Sequence, residues 1–204
     1  MQSKDLKKRR RRKKTNHFTT IIGLIGITAM IMIVGNVYRM FRGSEIGDRL
    51  ISTDVERYEE TIRRYAEEFD MLDYVPLVEA VMMQESAGTT TDPMQCSACM
   101  FNEQYPTEPG GIKDPEYSVK VGVQYLQYCL ELAECTDPAD ISRIELALQG
   151  YNYGAGYITW ALENHGGYSL ENAEEFARMM MELHGTSGYG DMLYAPHVLR
   201  YYHI

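Results

Sequence analysis

The sequence predicts a mainly α-helical domain that follows a single transmembrane helix. Residues 18–38 form a run of 21 residues without a charged side chain, about the length that a helix needs to cross a hydrocarbon core. After Thr53, apolar residues recur at steps of three and four, which is the spacing of one helix face. No later stretch shows the apolar–polar alternation of a half-buried strand. These observations predict an all-α fold class.

The residues before the apolar run predict how it is oriented. Nine of the 20 Lys and Arg residues lie between Lys4 and Lys14. A secretory signal peptide usually has a shorter apolar region and a small-x-small cleavage site, which VGNVYRMFRG does not offer. We therefore predict an uncleaved anchor whose basic flank stays in the cytoplasm. The expected parts are a basic cytoplasmic tail (1–17), a membrane anchor (18–38), a juxtamembrane linker (39–52) and an extracytoplasmic domain (53–204).

The charge of the predicted exported part limits its partners. Residues 43–204 contain 28 Asp and Glu against nine Lys and Arg, a formal charge of −19. Such a surface repels a phosphate backbone, so nucleic acid is not an expected partner. The basic run at the other end lies beside an apolar span, which favours contact with lipid headgroups.

The first two predicted helices follow from apolar spacing. One begins near Thr53 and keeps five residues on a single face: Val55, Tyr58, Ile62, Tyr65 and Phe69. The apolar pattern extends over fewer than three heptads, which is too short for a coiled-coil stalk and favours a core helix. The second helix has Pro76 in its first turn and ends at Gly88, with Glu85 in line with its apolar face. The segment 87–113 is rich in Gly, Thr and Pro and is predicted to be a loop.

Later helices are predicted from spacing and from capping residues. A third opens at Asp114-Pro115-Glu116, and a fourth covers Ile144 to Leu148. A glycine-punctuated turn is expected from Tyr151 to Gly156, followed by a short helix from Tyr157 to Asn164. Ser169 can cap the next helix, whose expected core face is Ala173, Phe176, Ala177, Met180 and Leu183.

Glu85 is the candidate catalytic acid. Burial beside Val81 and Met82 disfavours an ionised carboxylate, and so does the negative end of the helix dipole, so we expect a raised pKa for Glu85. A carboxyl that stays protonated near neutral pH can donate a proton to a glycosidic oxygen. The alternative is a glutamate that reaches solvent at a frayed helix end.

Other side chains could complete a carbohydrate site. Asp92, seven residues after Glu85, is a candidate second carboxylate, because glycoside hydrolysis commonly needs a pair. The alternative for Asp92 is a local Asp-Pro turn. Gln95 and Asn152 carry amides that can bind sugar hydroxyl and acetamido groups. Aromatic faces are offered by Tyr151, Tyr153 and Tyr157.

The four cysteines all lie in the predicted exported region, where a disulfide can persist. Cys96, Cys99, Cys129 and Cys135 allow three pairings, and free thiols are the alternative. CSAC has a zinc-like spacing, but no histidine is close in sequence, so a metal site is disfavoured. A redox CxxC pair is not expected without a strand–helix context. We predict no metal and no cofactor.

Three short motifs follow one another along the chain: Glu85-Ser86, Met94-Gln95 and Gly150-Tyr151-Asn152-Tyr153-Gly154. In this order they resemble the Glu-Ser, Met-Gln and Tyr-Asn segments of the goose-type lysozyme and lytic transglycosylase superfamily. The longer segments DPEYSVKVGVQYL, ALQGYNYGAGYITWAL and YGDMLYAPHVLRYY are similar to the lysozyme-like domain of cell-wall hydrolases carried by conjugative elements of Gram-positive bacteria. The resemblance covers residues 58–202, nearly all of the predicted exported domain.

The resemblance implies a function and a set of site residues. Glu85 would be the general acid and Asp92 a second carboxylate. The glycan would be bound by Ser86, Gln95, Tyr151, Asn152 and Tyr194. The implied enzyme is a membrane-anchored muramidase that cleaves the β-1,4 bond between N-acetylmuramic acid and N-acetylglucosamine in peptidoglycan. It would open the wall locally during conjugation or assembly of a secretion channel, whose proteins are possible partners.

Two other functions remain open at this point. One is a lytic transglycosylase that leaves 1,6-anhydro ends, and the other is a non-catalytic adaptor that docks a channel against the wall. The general transglycosylase pattern has Gly-Leu before Met-Gln, where this chain has Asp92-Pro93, and this departure favours hydrolysis. The relatives often continue into a C-terminal peptidase domain, whereas this sequence ends at Ile204, so we expect no peptide-bond cleavage.

Overall fold

A computed structural model describes residues 46–204 of the chain. Every regular element in this range is helical, and strands do not occur in it, in agreement with the predicted all-α class. Within the same range no helix is both long enough and apolar enough to cross a membrane. The predicted cytoplasmic tail (1–17) and membrane anchor (18–38) lie outside the described residues.

The predicted first helix is divided in two. α1 covers Thr53–Glu56 and α2 covers Glu59–Glu68. The Ser52 hydroxyl caps α1 by accepting a hydrogen bond from the Val55 N–H. Val55 and Ile62 are both fully buried, so the two pieces still share the core face that their spacing predicts.

The helix that carries Glu85 is largely buried in the core. α3 covers Val75–Ser86, with Pro76 in its first turn as predicted. Six of its residues are buried and lie all around the helix: Val75, Leu77, Val78, Ala80, Val81 and Met82. Ala87 ends α3 in the left-handed region at φ +53°, a conformation that a residue with a Cβ adopts only at some cost. The helix therefore ends at Ser86, directly after Glu85, and the chain turns into the predicted loop.

Three further helices pack against one another. α4 covers Pro115–Leu132 and is capped by the Asp114 side chain, α5 covers Ile141–Tyr153, and α6 covers Gly156–His165. The turn predicted from Tyr151 begins only at Gly154, because α5 continues through Tyr153. Gly150 permits this packing, since a Cβ there would lie 2.3 Å from Cγ1 of Ile158 on α6. α5 and α6 thus approach closely, and Tyr151 and Asn152 lie on a helix instead of in a loop.

The last two helices complete the domain. α7 covers Leu170–His184 and begins with a capping box formed by Ser169 and Asn172. Its predicted core face is only partly correct, because Leu183 is 70% exposed. α8 covers Tyr194–Leu199, was not predicted, and packs against both α3 and α5. This packing brings the C-terminal end of the chain to the end of α3.

Residues 46–52, the N-terminal strap, pack against the domain although the sequence assigned them to a juxtamembrane linker. The Gly47 N–H donates to the Leu199 carbonyl at 3.0 Å. At the other end of the strap, the Ser52 hydroxyl donates to the Ala87 carbonyl at 3.2 Å. The strap therefore connects the end of α3 with the end of α8.

Candidate active site

Glu85 and Tyr194 form the centre of the candidate site. Glu85 lies in the last turn of α3 and is partly buried, and Tyr194 is the first residue of α8 and is 2% exposed. The Tyr194 hydroxyl donates a hydrogen bond to Oε1 of Glu85 at 2.5 Å. This length is in the range of charge-assisted bonds between a hydroxyl and a carboxylate. The contact fixes one oxygen of Glu85 against α8.

The surroundings of Glu85 raise its pKa to about 7 from an ordinary value of 4.5. Burial is the largest cause, because it disfavours the ionised carboxylate. The hydrogen bond from Tyr194 acts in the opposite direction, and the negative charge of Asp92 adds a smaller upward effect. The pKa is raised, as its burial predicted, and Glu85 is therefore protonated in a substantial fraction of molecules near neutral pH.

A row of aromatic rings leads away from Glu85. The rings of Tyr194 and Tyr151 are nearly parallel, with centroids 6.4 Å apart, and Tyr125 follows at 5.1 Å from Tyr151. The Tyr151 hydroxyl donates to the Met94 carbonyl at 3.0 Å. Tyr151 is only 7% exposed, and through this hydrogen bond it holds the Met94-Gln95 turn against α5.

Asp92 is enclosed by hydrogen-bond donors. Its side chain is 1% exposed, and Oδ2 accepts bonds from the Ser97 hydroxyl at 2.5 Å and the Ser97 N–H at 3.2 Å. Oδ1 accepts bonds from the Ser118 hydroxyl at 2.6 Å and from the Cys96 N–H at 3.3 Å. A carboxylate with four such partners is stabilised where it lies, and neither oxygen is presented to solvent. The structure therefore places Asp92 inside the loop that borders the site, and not on the surface beside Glu85.

Ser86 and Gln95 shape the same loop. The Ser86 hydroxyl donates to the Pro93 carbonyl at 2.8 Å and accepts the Gly88 N–H at 3.1 Å. Gln95 is exposed, has a φ of +47°, and donates its amide to the Asp92 carbonyl at 2.8 Å. Ser86 thus ties the end of α3 to the loop, while Gln95 is the exposed polar side chain of the turn.

A polar network that the sequence analysis missed holds the start of α8. The Asn152 side-chain oxygen accepts the Asp191 N–H at 2.7 Å, and the Gln149 amide donates to the Asp191 carbonyl at 2.9 Å. The Asp191 carboxylate accepts the Leu193 N–H at 2.9 Å and contacts Nδ1 of His197 at 2.7 Å. Asp191, three residues before α8, could have indicated this helix start in the sequence. Asp is favoured there because its side chain can accept hydrogen bonds from the free N–H groups.

The predicted site residues fall into two groups. Glu85 and Tyr194 are in direct contact, and Tyr151 stacks beside them. Ser86, Asp92, Gln95 and Asn152 lie in the loop and network that hold this centre. Among the described residues, no group of three or more His, Cys, Asp or Glu side chains is arranged to hold a metal ion.

A cavity of about 330 Å³ lies apart from Glu85, between α2, α4 and the loop near Phe101. Its lining includes Phe69, Phe101, Tyr117 and Gln124. None of the lining residues is a predicted site residue, so the cavity is not the candidate active site.

The fold and the site together define a helical domain of the lysozyme-like class. Residues 52–202 match the Lysozyme-like family, and the chain belongs to this family. The match begins at Ser52 and includes every residue of the site described above.

Individual relatives support the same assignment. The chain is 34% identical over 151 residues to the bifunctional muramidase/DL-endopeptidase CwlT of Bacillus subtilis, covering 74% of this chain and 42% of that protein. It is 28% identical to the uncharacterized membrane protein YocA of the same organism, covering 69% of this chain and 65% of YocA. A crystal structure of a lipoprotein-like protein of the NLP/P60 family from Staphylococcus aureus superposes with a TM-score of 0.64 at 27% identity, over 76% of this chain and 55% of that one. The chain therefore spans between about two fifths and two thirds of the length of these relatives.

Proposed function

We propose that the domain is a muramidase that cleaves the glycan strands of peptidoglycan between N-acetylmuramic acid and N-acetylglucosamine. The observation that carries this proposal is the environment of Glu85, a buried carboxyl with a pKa of about 7 at the end of the core helix α3. The relative CwlT, which is named a muramidase, supports the same substrate. A glycosidic oxygen is a poor leaving group until it is protonated, and Glu85 is a suitable proton donor.

In the proposed reaction, protonated Glu85 donates its proton to the leaving glycosidic oxygen as the bond breaks. The transition state resembles an oxocarbenium ion, so positive charge develops at the sugar carbon. Glu85 becomes negative in the same step, and it can then accept a proton from the water that attacks this carbon. Tyr194 holds one oxygen of Glu85 through its 2.5 Å bond, which leaves the other oxygen to face the substrate. Gln95, Tyr151 and Asn152 are proposed to border the sugar subsites.

We assign Asp92 a positioning and electrostatic role. Four hydrogen bonds from Ser97, Ser118 and Cys96 occupy its two oxygens, which disfavours direct activation of water by this carboxylate. Its charge is nevertheless close enough to raise the pKa of Glu85. The same negative charge would stabilise the positive transition state.

The enclosure of Asp92 also favours a second candidate, lytic transglycosylation. That reaction needs one carboxyl that acts first as acid and then as base, while the muramyl 6-hydroxyl attacks its own anomeric carbon. Glu85 can perform both steps by itself. The product carries a 1,6-anhydro ring and lacks the water that hydrolysis adds, so the two reactions differ in the mass of their products.

The location of the enzyme is part of the proposal. We propose that residues 18–38 anchor the chain in the cell membrane and hold the domain outside the cell, close to the innermost glycan strands. The apolar run and the basic residues before it support this topology. The name of the relative YocA, a membrane protein, supports the association with a membrane. A tethered hydrolase would open the wall locally, as conjugation or a secretion channel requires.

Product analysis tests the proposed reaction. The full-length chain is incubated with purified peptidoglycan, and the released fragments are analysed by mass spectrometry, with Glu85→Gln as the inactive control. We expect fragments with reducing N-acetylmuramic acid ends. Fragments lighter by one water would establish transglycosylation instead, and intact glycan with both proteins would contradict a glycosidase.

A further inference from the structure

The CSAC segment forms a tight turn beside the candidate site. The Cys99 N–H donates to the Cys96 carbonyl at 3.0 Å, which closes a four-residue turn directly after Gln95. The ends of such a turn lie within about 7 Å of each other. A disulfide needs Cα atoms about 4.4 to 6.8 Å apart. The turn therefore places Cys96 and Cys99 at a separation that a disulfide can bridge.

The two thiols lie in different surroundings. Cys96 is 3% exposed, and its thiol donates to the Ser118 carbonyl at 3.4 Å. Cys99 is only partly buried, so small molecules can reach it. Contact with the Cys96 side chain lowers the pKa of Cys99, and the N–H groups of Phe101 and Asn102 act in the same direction. The same contact and burial raise the pKa of Cys96. Cys99 is thus the better nucleophile of the pair.

The other two cysteines are more deeply buried than Cys99. Cys129 is fully buried within α4, and burial raises its pKa. Cys135 is 8% exposed and lies against the Tyr74 hydroxyl at 3.7 Å, beyond the end of α4. Burial raises the pKa of Cys135 as well. Both thiols are poorly placed to react with an external oxidant.

We propose that Cys96 and Cys99 form a redox-active pair that closes to a disulfide, while Cys129 and Cys135 stay reduced. The sequence disfavoured a redox pair because no strand was predicted before CSAC. In the structure, the turn brings the two cysteines close enough to form a disulfide. The pair is a modification site next to Gln95, and the Cys96 N–H also bonds Asp92. Closure would cross-link the turn that borders the active site.

The proposed oxidant is a low-molecular-weight disulfide. The Cys99 thiolate attacks one sulfur of the oxidant, forms a mixed disulfide and releases one thiolate. Cys96 then loses its proton and attacks the Cys99 sulfur, which expels the second thiolate of the oxidant. In the sum, two protein thiols become one disulfide, and one external disulfide becomes two thiols.

Thiol counting and peptide mapping test this inference independently of glycan cleavage. The full-length chain is exposed to oxidised glutathione without denaturant, free thiols are alkylated, and the digested peptides are analysed by mass spectrometry. We expect a loss of two of the four thiols, with one cross-link inside the peptide that contains both Cys96 and Cys99. A double variant, Cys129→Ser with Cys135→Ser, should lose the same two thiols.

Single variants identify the attacking and resolving cysteines. Cys96→Ser should retain one glutathione on Cys99, because no second thiol is present to expel it. Cys99→Ser should keep its three thiols reduced under the same conditions. Retention of all four thiols in the wild-type chain, a cross-link that includes Cys129 or Cys135, or glutathione on Cys96 in the Cys99→Ser chain would each overturn the proposal.

Discussion

The Tyr194 hydroxyl donates a 2.5 Å hydrogen bond to Oε1 of Glu85, a residue 109 positions earlier in the chain. The bond joins the first residue of α8 to the last turn of α3. It lowers the pKa of Glu85 while burial raises it, and burial is the larger effect. One tyrosine therefore both positions the proposed acid and limits how far its pKa rises.

Replacement of Tyr194 by Phe should change the pH dependence of glycan cleavage. The variant removes the hydrogen bond that lowers the pKa of Glu85, so this pKa should rise further. In the proposed reaction the protonated form is the active one, so the alkaline limb of the pH–rate profile should move to higher pH. The maximal rate should fall about tenfold, since one Glu85 oxygen is no longer fixed.

Tyr202→Phe is the matched control for this effect. The Tyr202 hydroxyl donates to the Pro138 carbonyl at 2.7 Å, so the variant loses an equivalent bond that does not involve Glu85. Its alkaline limb should stay at the wild-type position. An unchanged limb in Tyr194→Phe, or an equal shift in both variants, would show that Tyr194 does not set the pKa of Glu85.

The stability of a Glu85→Gln variant should depend on pH in a defined direction. The pKa of Glu85 is about 4.5 when unfolded and about 7 when folded, so the wild-type chain loses stability as pH rises between these values. Gln does not titrate and can still accept the Tyr194 bond through its side-chain oxygen. Relative to the wild type, the variant should gain about 2 kcal/mol above neutral pH, after allowance for solvent screening, and nothing below pH about 4. Urea unfolding across this pH range measures the difference, and a pH-independent difference would contradict the raised pKa.

Asp92→Asn should reduce both stability and activity. Asn replaces one of the two carboxylate oxygens by an NH2 group that cannot accept, so either the Ser97 or the Ser118 hydroxyl loses its acceptor. We expect a loss of about 3 kcal/mol in the free energy of unfolding, together with a rate at least roughly tenfold lower. Ser118→Ala should produce a smaller loss of both. An Asp92→Asn chain with wild-type stability and no activity would instead support a direct catalytic role for Asp92.

Removal of the N-terminal strap should weaken the domain. Ser52 donates to the Ala87 carbonyl after Glu85, and the Arg49 N–H donates to the Arg200 carbonyl after α8 at 3.0 Å. A chain beginning at Thr53 loses these bonds and should be about 2 kcal/mol less stable than one beginning at Glu45, with a lower rate of glycan cleavage. Ser52→Ala removes the side chain that caps α1 and should lower the free energy of unfolding by about 1 kcal/mol. Thr53→Ala is the control, because Thr53 is exposed and its replacement should cost little. Equal thermal unfolding of the two truncated chains would show that the strap is only a linker.

Helices with a clear apolar face or a capping residue could be predicted from the sequence. The starts of α4 and α7 follow from Asp114 and Ser169, which cap them as expected. α8 could not be found in this way, because six residues are too few to show a helical period. The last turn of α5 was predicted to be a turn because glycines lie on both sides of it, whereas Gly150 lies within the helix and leaves the space that Ile158 occupies.

The candidate site could also be predicted only in part, because some of its features depend on local sequence and others on contacts between distant residues. A raised pKa for Glu85 follows from its position at the end of a buried helix. The partners of Asp92 include Ser118, which is 26 residues away and on another helix, so the enclosure of its carboxylate depends on tertiary packing. Long-range contacts of this kind leave no local signal in a single sequence.

The central claim is that Glu85 supplies the proton that breaks the glycosidic bond. The most direct test is the rate of fragment release from purified peptidoglycan by full-length wild type and Glu85→Gln, measured with the unfolding transition of each. Glu79→Gln is the control, because Glu79 lies on the same helix α3, is partly buried and also has a raised pKa. We predict at least a roughly hundredfold lower rate for Glu85→Gln with its folded state intact, and a wild-type rate for Glu79→Gln. Cleavage by a folded Glu85→Gln chain at the wild-type rate would contradict the account.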